Sequence, residues 1–176
     1  MNFRWYNHIN CLKFPKTFSI LQQIPNLSLA GITVLEPHSK VLPHIGETNA
    51  IIRCHFGLKV PGKNMDCGIS VNGEARSLQN GKLLMFSDAH YHNTWNNTDE
   101  RRFILVLDII QPQFVYMSSW VCSNSLATLT LKYIDERIKI IAIFPNWFLQ
   151  LLLKPIAVFW FFYLPLQKQF RWFYIY

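Results

Sequence analysis

Histidines and arginines stand out in this chain because several of them fall in or beside apolar, strand-like segments. A polar side chain that faces a core needs a partner. Neutral imidazole is a common metal ligand, and a guanidinium pairs with a carboxylate through two parallel hydrogen bonds. These residue types predict a two-histidine metal site beside arginines that bind an acidic co-substrate. The residues are His44, His55, His90, His92, Arg53 and Arg102.

Alternation along the strand-like segments indicates which of these side chains share a face. His44 and His92 are metal-ligand candidates because each lies next to a strand-like run and near a Gly or an Asn-rich turn. His90 lies two residues before His92, so both would face the same side of a strand. Residues 50–58 predict one face carrying Ile51, Arg53 and His55, and another carrying Ile52, Cys54 and Phe56.

The segments that must position these residues are short, β-prone and separated by turn signals about every ten residues. The pairs Asn72-Gly73 and Asn80-Gly81 are both hairpin signals. This spacing favours a mainly β fold, a sandwich or barrel of the jelly-roll kind. The predicted strands lie at 32–35, 50–58, 67–71, 82–86 and 102–110.

The rest of the chain is expected to flank this barrel. Residues 15–25 predict a short helix that ends at Pro25. The predicted organisation is an N-terminal segment (1–29), a barrel (30–116), a helix or linker (117–138) and a basic, aromatic, hydrophobic tail (139–176).

The tail carries much of the net charge of +7, because no acidic residue follows Glu136. Its apolar runs are interrupted by Pro145-Asn146 and by Lys154-Pro155, which we expect to break them. Neither run alone has the roughly 20 residues of a bilayer span. We therefore expect an interfacial or re-entrant membrane anchor. A tilted span and a buried helical hairpin are the alternatives.

Composition also limits location and partners. The four cysteines show no C-x-x-C spacing, which favours a reducing, cytoplasmic compartment, with the tail on the cytoplasmic side of a membrane if it binds one. The first residues show no secretory signal pattern. The predicted barrel has no basic stripe interleaved with aromatic residues, so no nucleic acid is expected as a partner.

Several motifs, agreeing in order along residues 15–116, resemble the aspartyl/asparaginyl β-hydroxylase family. They are Pro43 to Asn49, Arg53 to Leu58, Gly81 to Phe86, Asp88 to Trp95, and Arg102 to Asp108 followed by Pro112. The resemblance implies a double-stranded β-helix, a cupin-like barrel, that uses Fe(II), 2-oxoglutarate and dioxygen. It implies hydroxylation of an unactivated C–H bond coupled to decarboxylation of 2-oxoglutarate to succinate.

Carried over residue by residue, the resemblance implies that His44 and His92 bind the iron. Arg102, helped by Thr33, would bind the distal carboxylate of 2-oxoglutarate, and Arg53 with His55 its iron-proximal end. His90 matches no ligand position. Asp88, Trp95 and Asp108 match positions for which a structural role is expected.

One carboxylate is missing from this pattern. Most 2-oxoglutarate oxygenases add a carboxylate to two histidines, two residues after the first, where this chain has Gly46. Glu47 would point to the other face of a strand. The resemblance explains the difference, because the family characteristically works without that ligand.

The sequence leaves the substrate open. A peptidyl Asp or Asn side chain is the first hypothesis, with related small amino-acid-like molecules beside it. A lipid acyl chain, as in lipid A modification, is the second, and the tail favours a substrate near a membrane. A non-catalytic barrel that binds a metal or an anion is the third.

Overall fold

A computed structural model of the chain describes residues 8–46, 48–138 and 144–169. Two short helices, α1 (His8–Lys13) and α2 (Pro15–Leu21), precede the strands. The strands of the described residues are β1 (Leu27–Leu35), β2 (Ser39–His44), β3 (Ile51–Lys59), β4 (Cys67–Val71), β5 (Glu74–Ser77), β6 (Leu83–Ser87), β7 (His92–Asn96) and β8 (Arg102–Ile110).

The strands form two four-stranded antiparallel sheets, ordered β1-β8-β3-β6 and β2-β7-β4-β5. Successive strands repeatedly cross from one sheet to the other, so the chain winds around the space between them. This order is that of a double-stranded β-helix. The predicted mainly β, jelly-roll barrel with flanking helices is therefore confirmed.

The first sheet contributes side chains to two apolar layers, one on each face, and β8 alternates between them. The layer inside the barrel includes Phe86, Ile104 and Val106, packed against Cys67 and Ile69 of the second sheet. A second layer lies on the outer face of the first sheet and holds Leu27, Cys54 and Leu107, with Leu21 of α2 and Ile24 packed against it. The predicted alternation along residues 50–58 is confirmed, since Cys54 lies in the outer layer while Arg53 and His55 face inward.

The two Asn-Gly pairs have different outcomes. Asn72 and Gly73 both have positive φ, 48° and 84°, and join the paired strands β4 and β5 in a tight hairpin. The hairpin predicted at Asn80-Gly81 is wrong, because this turn joins β5 of one sheet to β6 of the other. Gly81 still adopts a positive φ of 68°, so the residue pair marks a turn without specifying which strands pair.

Beyond a 3₁₀ turn at Pro112–Met117, the chain forms α3 (Ser118–Ile138) and α4 (Asn146–Gln169). This helical unit, from Tyr116 onward, is one compact unit, and the barrel belongs to another. The segment 117–138, predicted as a helix or a linker, is the helix α3. The break predicted at Lys154-Pro155 is wrong, because α4 continues through both Pro155 and Pro165.

No helix in the described ranges is both long and apolar enough to cross a membrane. Residues 139–143 and 170–176 of the predicted tail lie outside those ranges.

The buried side chain of Asn96 joins two connections of the barrel. Its Nδ2 donates to the carbonyl oxygens of Leu35 (3.1 Å), Glu36 (3.0 Å) and Glu100 (2.7 Å). Its Oδ1 accepts from the backbone N–H and the hydroxyl of Thr98. One amide thus ties the β1–β2 turn to the β7–β8 loop, which leads directly into Arg102.

We predict that Asn96→Ala lowers the free energy of unfolding by about 3 kcal/mol, because it leaves several buried carbonyls and an N–H without partners. Urea unfolding measures the loss. Asn97→Ala is the control, since that neighbouring side chain is exposed and makes no hydrogen bond among those found. Equal losses in both variants would contradict the role of the Asn96 amide.

Candidate metal and co-substrate site

The two predicted metal ligands face each other across neighbouring strands. His44 ends β2 and is directly opposite His92, the first residue of β7. Their ring centroids are 4.3 Å apart, with the planes inclined by 54°. The register of β2 shifts between Val41 and His44, where Pro43 is tolerated because β2 is an edge strand. Such an irregularity re-aims the side chains at the end of a strand.

Each imidazole is held by a hydrogen bond to the backbone carbonyl two residues earlier in the chain. His44 Nδ1 lies 2.8 Å from the carbonyl oxygen of Leu42, and His92 Nδ1 lies 2.7 Å from that of His90. A carbonyl oxygen accepts only, so Nδ1 carries the proton in each ring and Nε2 keeps its lone pair. Metal-binding histidines usually donate their second ring nitrogen in this way. The arrangement therefore fits a metal ion between the two Nε2 atoms.

The described residues contain no cluster of three histidine, cysteine, aspartate or glutamate side chains arranged to hold a metal. Glu47, which the sequence placed on the opposite face from a ligand, lies outside the described residues. The nearest acidic neighbour of the pair is Asp88, whose Oδ1 lies 3.8 Å from His92 Nε2. Burial lowers the pKa of His92, which favours the neutral ring that a metal requires.

Arg53 lies at the centre of a buried ion-pair network. Its Nε and Nη2 each donate to one carboxylate oxygen of Asp108 at 2.8 Å, in a bidentate pair between β3 and β8. Its Nη1 lies 2.7 Å from Oδ1 of Asp88, which is fully buried. Asp88 lies in the loop that connects β6 of the first sheet to β7 of the second. The guanidinium of Arg53 therefore links this loop to β8, which carries Asp108.

This network changes how the sequence is interpreted. Arg53 was expected to find its anionic partner in a co-substrate, but the chain itself supplies two carboxylates. The structural role expected for Asp88 and Asp108 is to hold this guanidinium. A signal existed for Asp108, since it lies six residues after Arg102 in one strand and therefore faces the same interior. Whether Arg53 also contacts a co-substrate stays a prediction.

Gly46 lets the network approach the first histidine. Its N–H donates to the carbonyl oxygen of Asp88 at 2.7 Å. A Cβ added at Gly46 would lie 1.8 Å from Oδ2 of Asp88 and 2.8 Å from its backbone oxygen. The Asp88 carboxylate thus occupies the space into which a side chain at position 46 would project. This contact gives a steric reason for the missing carboxylate at that position.

Arg102 contrasts with Arg53. It is 3% exposed, and its Nη1 donates to Thr94 Oγ1 at 2.6 Å and to the carbonyl oxygen of Trp95 at 3.1 Å. Its Nε is buried without a hydrogen-bond partner, and no described carboxylate lies within 4.0 Å of the guanidinium. A buried cation that only neutral groups contact is costly to a protein. The site is therefore suited to an anionic group that the described chain does not provide.

His55 lies between the two arginines, and it is 6% exposed. Burial, followed by the positive charges of Arg53 and Arg102, lowers the pKa of His55 to about 3. The ring is therefore neutral near pH 7, and its Nδ1 has no hydrogen-bond partner. Phe86 packs against both His55 and His92, with ring centroids 5.2 Å and 4.9 Å away. The imidazole is thus held next to the predicted metal ligands with one polar atom unused.

The remaining predicted residues lie at the edges of this group. Thr33 is exposed on β1 opposite Ile104, so it shares the inner face of the sheet with Arg102 two residues along β8. His90 has an exposed side chain, and its contribution to the site is the backbone carbonyl that orients His92. That orienting role, like the corresponding one of Leu42, has no signature in the sequence, because any residue supplies a carbonyl.

We predict that Gly46→Ala lowers the melting temperature by roughly 5–15 °C, since the new methyl group overlaps Asp88 and overpacking costs about 1–3 kcal/mol. Gly31→Ala in β1 is the matched control, because its added Cβ meets no atom within 4 Å. Thermal unfolding followed by circular dichroism compares the two. A Gly46→Ala protein as stable as Gly31→Ala would contradict the close approach of Asp88.

The chain is similar to several proteins that are named for a hydroxylase or a hydroxylase domain. It is 38% identical over 98 residues to the "Ornithine lipid ester-linked acyl 2-hydroxylase" of Rhizobium tropici, over 56% of this chain and 35% of that protein. It is 30% identical over 112 residues to human "Aspartyl/asparaginyl beta-hydroxylase", over 61% of this chain and 14% of that protein. It is 32% identical to rat "Aspartate beta-hydroxylase domain-containing protein 2", over 58% of this chain and 32% of that protein.

This chain therefore spans about a third or less of the length of these relatives. Among solved structures, a cupin protein from Bacteroides fragilis aligns with a TM-score of 0.39 and 17% identity, over 47% of this chain and 65% of that one. The assignment of the fold rests on the strand order and not on this alignment. Residues 1–112 match the family described as "Aspartyl/Asparaginyl beta-hydroxylase". The strand order, the facing histidines and this match agree, and the chain belongs to the aspartyl/asparaginyl beta-hydroxylase family.

Proposed function

We propose that this barrel is an Fe(II)- and 2-oxoglutarate-dependent hydroxylase. One observation carries the proposal. Two facing histidines, buried His92 and exposed His44 at the end of β2, both direct Nδ1 to a backbone carbonyl, and the barrel also holds Arg102, a buried cation that has no carboxylate partner among the described residues. The first feature fits a metal ion, and the second fits an anionic co-substrate.

In the proposed site, His44 and His92 bind the metal through Nε2, each held in place by a backbone carbonyl. Asp88 keeps Arg53 beside His92, and Arg53 is in turn fixed by Asp108. These contacts hold the ligands in position before a metal arrives. Bound ferrous iron with 2-oxoglutarate supplies the oxidative chemistry, in which dioxygen is consumed, 2-oxoglutarate becomes succinate and carbon dioxide, and a C–H bond is hydroxylated.

Arg102 binds the distal carboxylate of the co-substrate, and the exposed Thr33 hydroxyl on the neighbouring strand assists. His55 offers a neutral ring with an unused Nδ1, so it accepts or donates one hydrogen bond at the iron-proximal end without adding charge. Arg53 contributes positive potential there even while it remains paired. The apolar contacts around Phe86 and Ile104 limit the access of water to this end of the barrel.

For the substrate, we favour a lipid acyl chain. Three exposed large hydrophobic side chains lie within two residues of the histidines along the chain, namely Leu42, Ile45 and Tyr91. An apolar rim suits a hydrocarbon chain better than a carboxylate or amide side chain. The similarity to an ornithine lipid acyl hydroxylase supports the same substrate class. A peptidyl Asp or Asn residue is the second candidate, supported by the relatives named for that activity.

Purified protein supplied with Fe(II), ascorbate and 2-oxoglutarate is expected to release succinate when it is offered an ornithine lipid, and to add one oxygen atom to an acyl chain. Mass spectrometry of lipids and of Asp- and Asn-containing peptides identifies the product. His92→Ala is expected to abolish turnover and to weaken Mn(II) binding, measured by electron paramagnetic resonance, by more than about a hundredfold.

His90→Ala is the control for this experiment, because its side chain is exposed and the variant keeps the carbonyl that orients His92. Oxygen added to peptides alone would replace the lipid proposal by the peptide one. Metal binding without co-substrate binding or turnover would indicate a non-catalytic metal-binding barrel.

We predict that Arg102→Gln weakens binding of 2-oxoglutarate to the Mn(II)-loaded protein by roughly 10–100-fold, since hydrogen bonds to charged groups contribute about 1.5–3 kcal/mol. Isothermal titration calorimetry measures the affinity. The variant should fold at least as well as the parent, because it removes an unpaired buried charge.

Arg101→Gln is the matched control, as the neighbouring guanidinium is exposed and pairs with Glu36 at 2.9 Å. An unchanged affinity in Arg102→Gln would move the anion-binding role to another residue.

A further inference from the structure

One side of α4 packs against α3, and the opposite side is exposed. Toward α3, Trp160 Nε1 donates to the hydroxyl of Thr130 at 2.9 Å. Ala127 of α3 and Ala157 of α4 are both fully buried, so the two small side chains mark the close approach of the helices. These contacts define which side of α4 is covered by α3.

The opposite side, here called the α4 outer face, is an apolar stripe along the helix. Its large side chains recur at helical spacing and are between 44% and 67% exposed. They are Trp147, Leu151, Val158, Phe159 and Phe162. Lys154, Pro155 and Pro165 lie on the same side and are exposed as well. Continuous exposed apolar surface of this kind marks an interaction site.

We propose that the α4 outer face binds the surface of an anionic lipid bilayer, with the helix lying in the plane of the membrane. Lys154 is the charged residue of this face among the described side chains, and it lies midway along the stripe. No acidic residue follows Glu136, whereas Lys168 lies in the last turn of α4, and Lys139 and Arg171 flank the helix in sequence. Aromatic and aliphatic side chains with cations beside them suit the boundary between acyl chains and anionic headgroups.

The two prolines favour a helix lying in the surface over one that crosses the bilayer. Proline has no N–H, so the carbonyl oxygens four residues earlier, at Leu151 and Phe161, lose their usual helical partners. In hydrocarbon such oxygens would stay unpaired, but water and headgroups reach them at the surface. This agrees with the finding that no helix in the described ranges is long and apolar enough to cross a membrane.

A second copy of this chain is a poorer occupant. A symmetric pair of outer faces would bring the central Lys154 of one helix close to that of the other. No acidic side chain of either α4 would offset the repulsion, because the segment has none. A bilayer with anionic headgroups offers charge of the opposite sign along the whole stripe.

This proposal does not depend on the proposed hydroxylase activity, since lipid binding needs neither metal nor co-substrate. The full chain is sedimented with vesicles of phosphatidylcholine alone, or of phosphatidylcholine mixed with phosphatidylglycerol. The protein is expected to bind both and to bind the anionic vesicles more tightly. The double variant Phe159→Ser/Phe162→Ser should lower the partition coefficient for both vesicles by at least about tenfold.

Lys154→Gln should lower binding to the anionic vesicles alone, by about fivefold. This change adds no polar group to an apolar contact with α3, so it tests the proposal even if the double variant folds poorly. Leu83→Ser/Met85→Ser is the matched control, because these β6 side chains are apolar and comparably exposed, at 52% and 61%. It should leave vesicle binding unchanged.

Three results would overturn the proposal. The first is vesicle binding that the α4 variants leave unchanged, and the second is an equal loss of vesicle binding in the β6 control. The third is a parent chain that binds no vesicles but forms a dimer in size-exclusion chromatography, which the α4 variants abolish. The last would assign the α4 outer face to contact between copies of this chain. Each result leaves the metal and 2-oxoglutarate tests of the barrel interpretable.

Discussion

The candidate site depends on one buried interaction, in which Arg53 is held by Asp88 and Asp108. Asp108 fixes the guanidinium bidentately from the neighbouring strand, and Asp88 meets it from the connection that leads to His92 four residues later. Through its backbone oxygen Asp88 also binds Gly46, two residues after His44. One residue, Asp88, therefore contacts both histidine segments, through its side chain and its backbone oxygen. Loss of Arg53 would leave two buried carboxylates without this cation, which is far costlier than loss of an exposed ion pair.

The second arginine shows the opposite arrangement. Arg102 is more deeply buried than Arg53, yet it has neutral partners in Thr94 and Trp95. A protein that kept such a cation for stability alone would do better with an apolar residue of similar size. Departures from local rules are expected at functional sites, and here the departure coincides with the neighbouring His55, whose Nδ1 is also unused. The stability lost at Arg102 is what an anionic ligand would restore.

The helical unit follows different physics from the barrel. In the barrel, alternating strands bury one apolar layer inside and another beneath α2, so most large side chains have contacts. In α4, nearly every residue is apolar, and α3 covers only one side. The other side of α4 therefore stays exposed in the described helical unit. A barrel of the hydroxylase family and a helix with an exposed apolar face thus occur on one chain without sharing residues.

Particular residues show how far the sequence alone determines this protein. Period-two alternation places Arg53 and His55 on the inner face and Cys54 on the outer one, because successive residues of a strand point in opposite directions. Asn72-Gly73 specifies a hairpin, since both residues tolerate positive φ. The helix within 117–138 and the jelly-roll class also follow from local pattern. Ordered motifs along 15–116 identify the family.

Tertiary structure alone decides the rest. Alternation indicates which side of a sheet a residue faces, but it does not indicate which residue of another strand lies beside it. Arg53 and Asp108 are 55 residues apart, and only the register of β3 against β8 brings them together. Asn80-Gly81 turns between sheets instead of within one, and α4 passes through Pro155, since packing against α3 outweighs the local cost of a proline. The sequence by itself determined which residues could do chemistry and which way they point. Long-range pairing decided which arginine is already neutralised and which remains available.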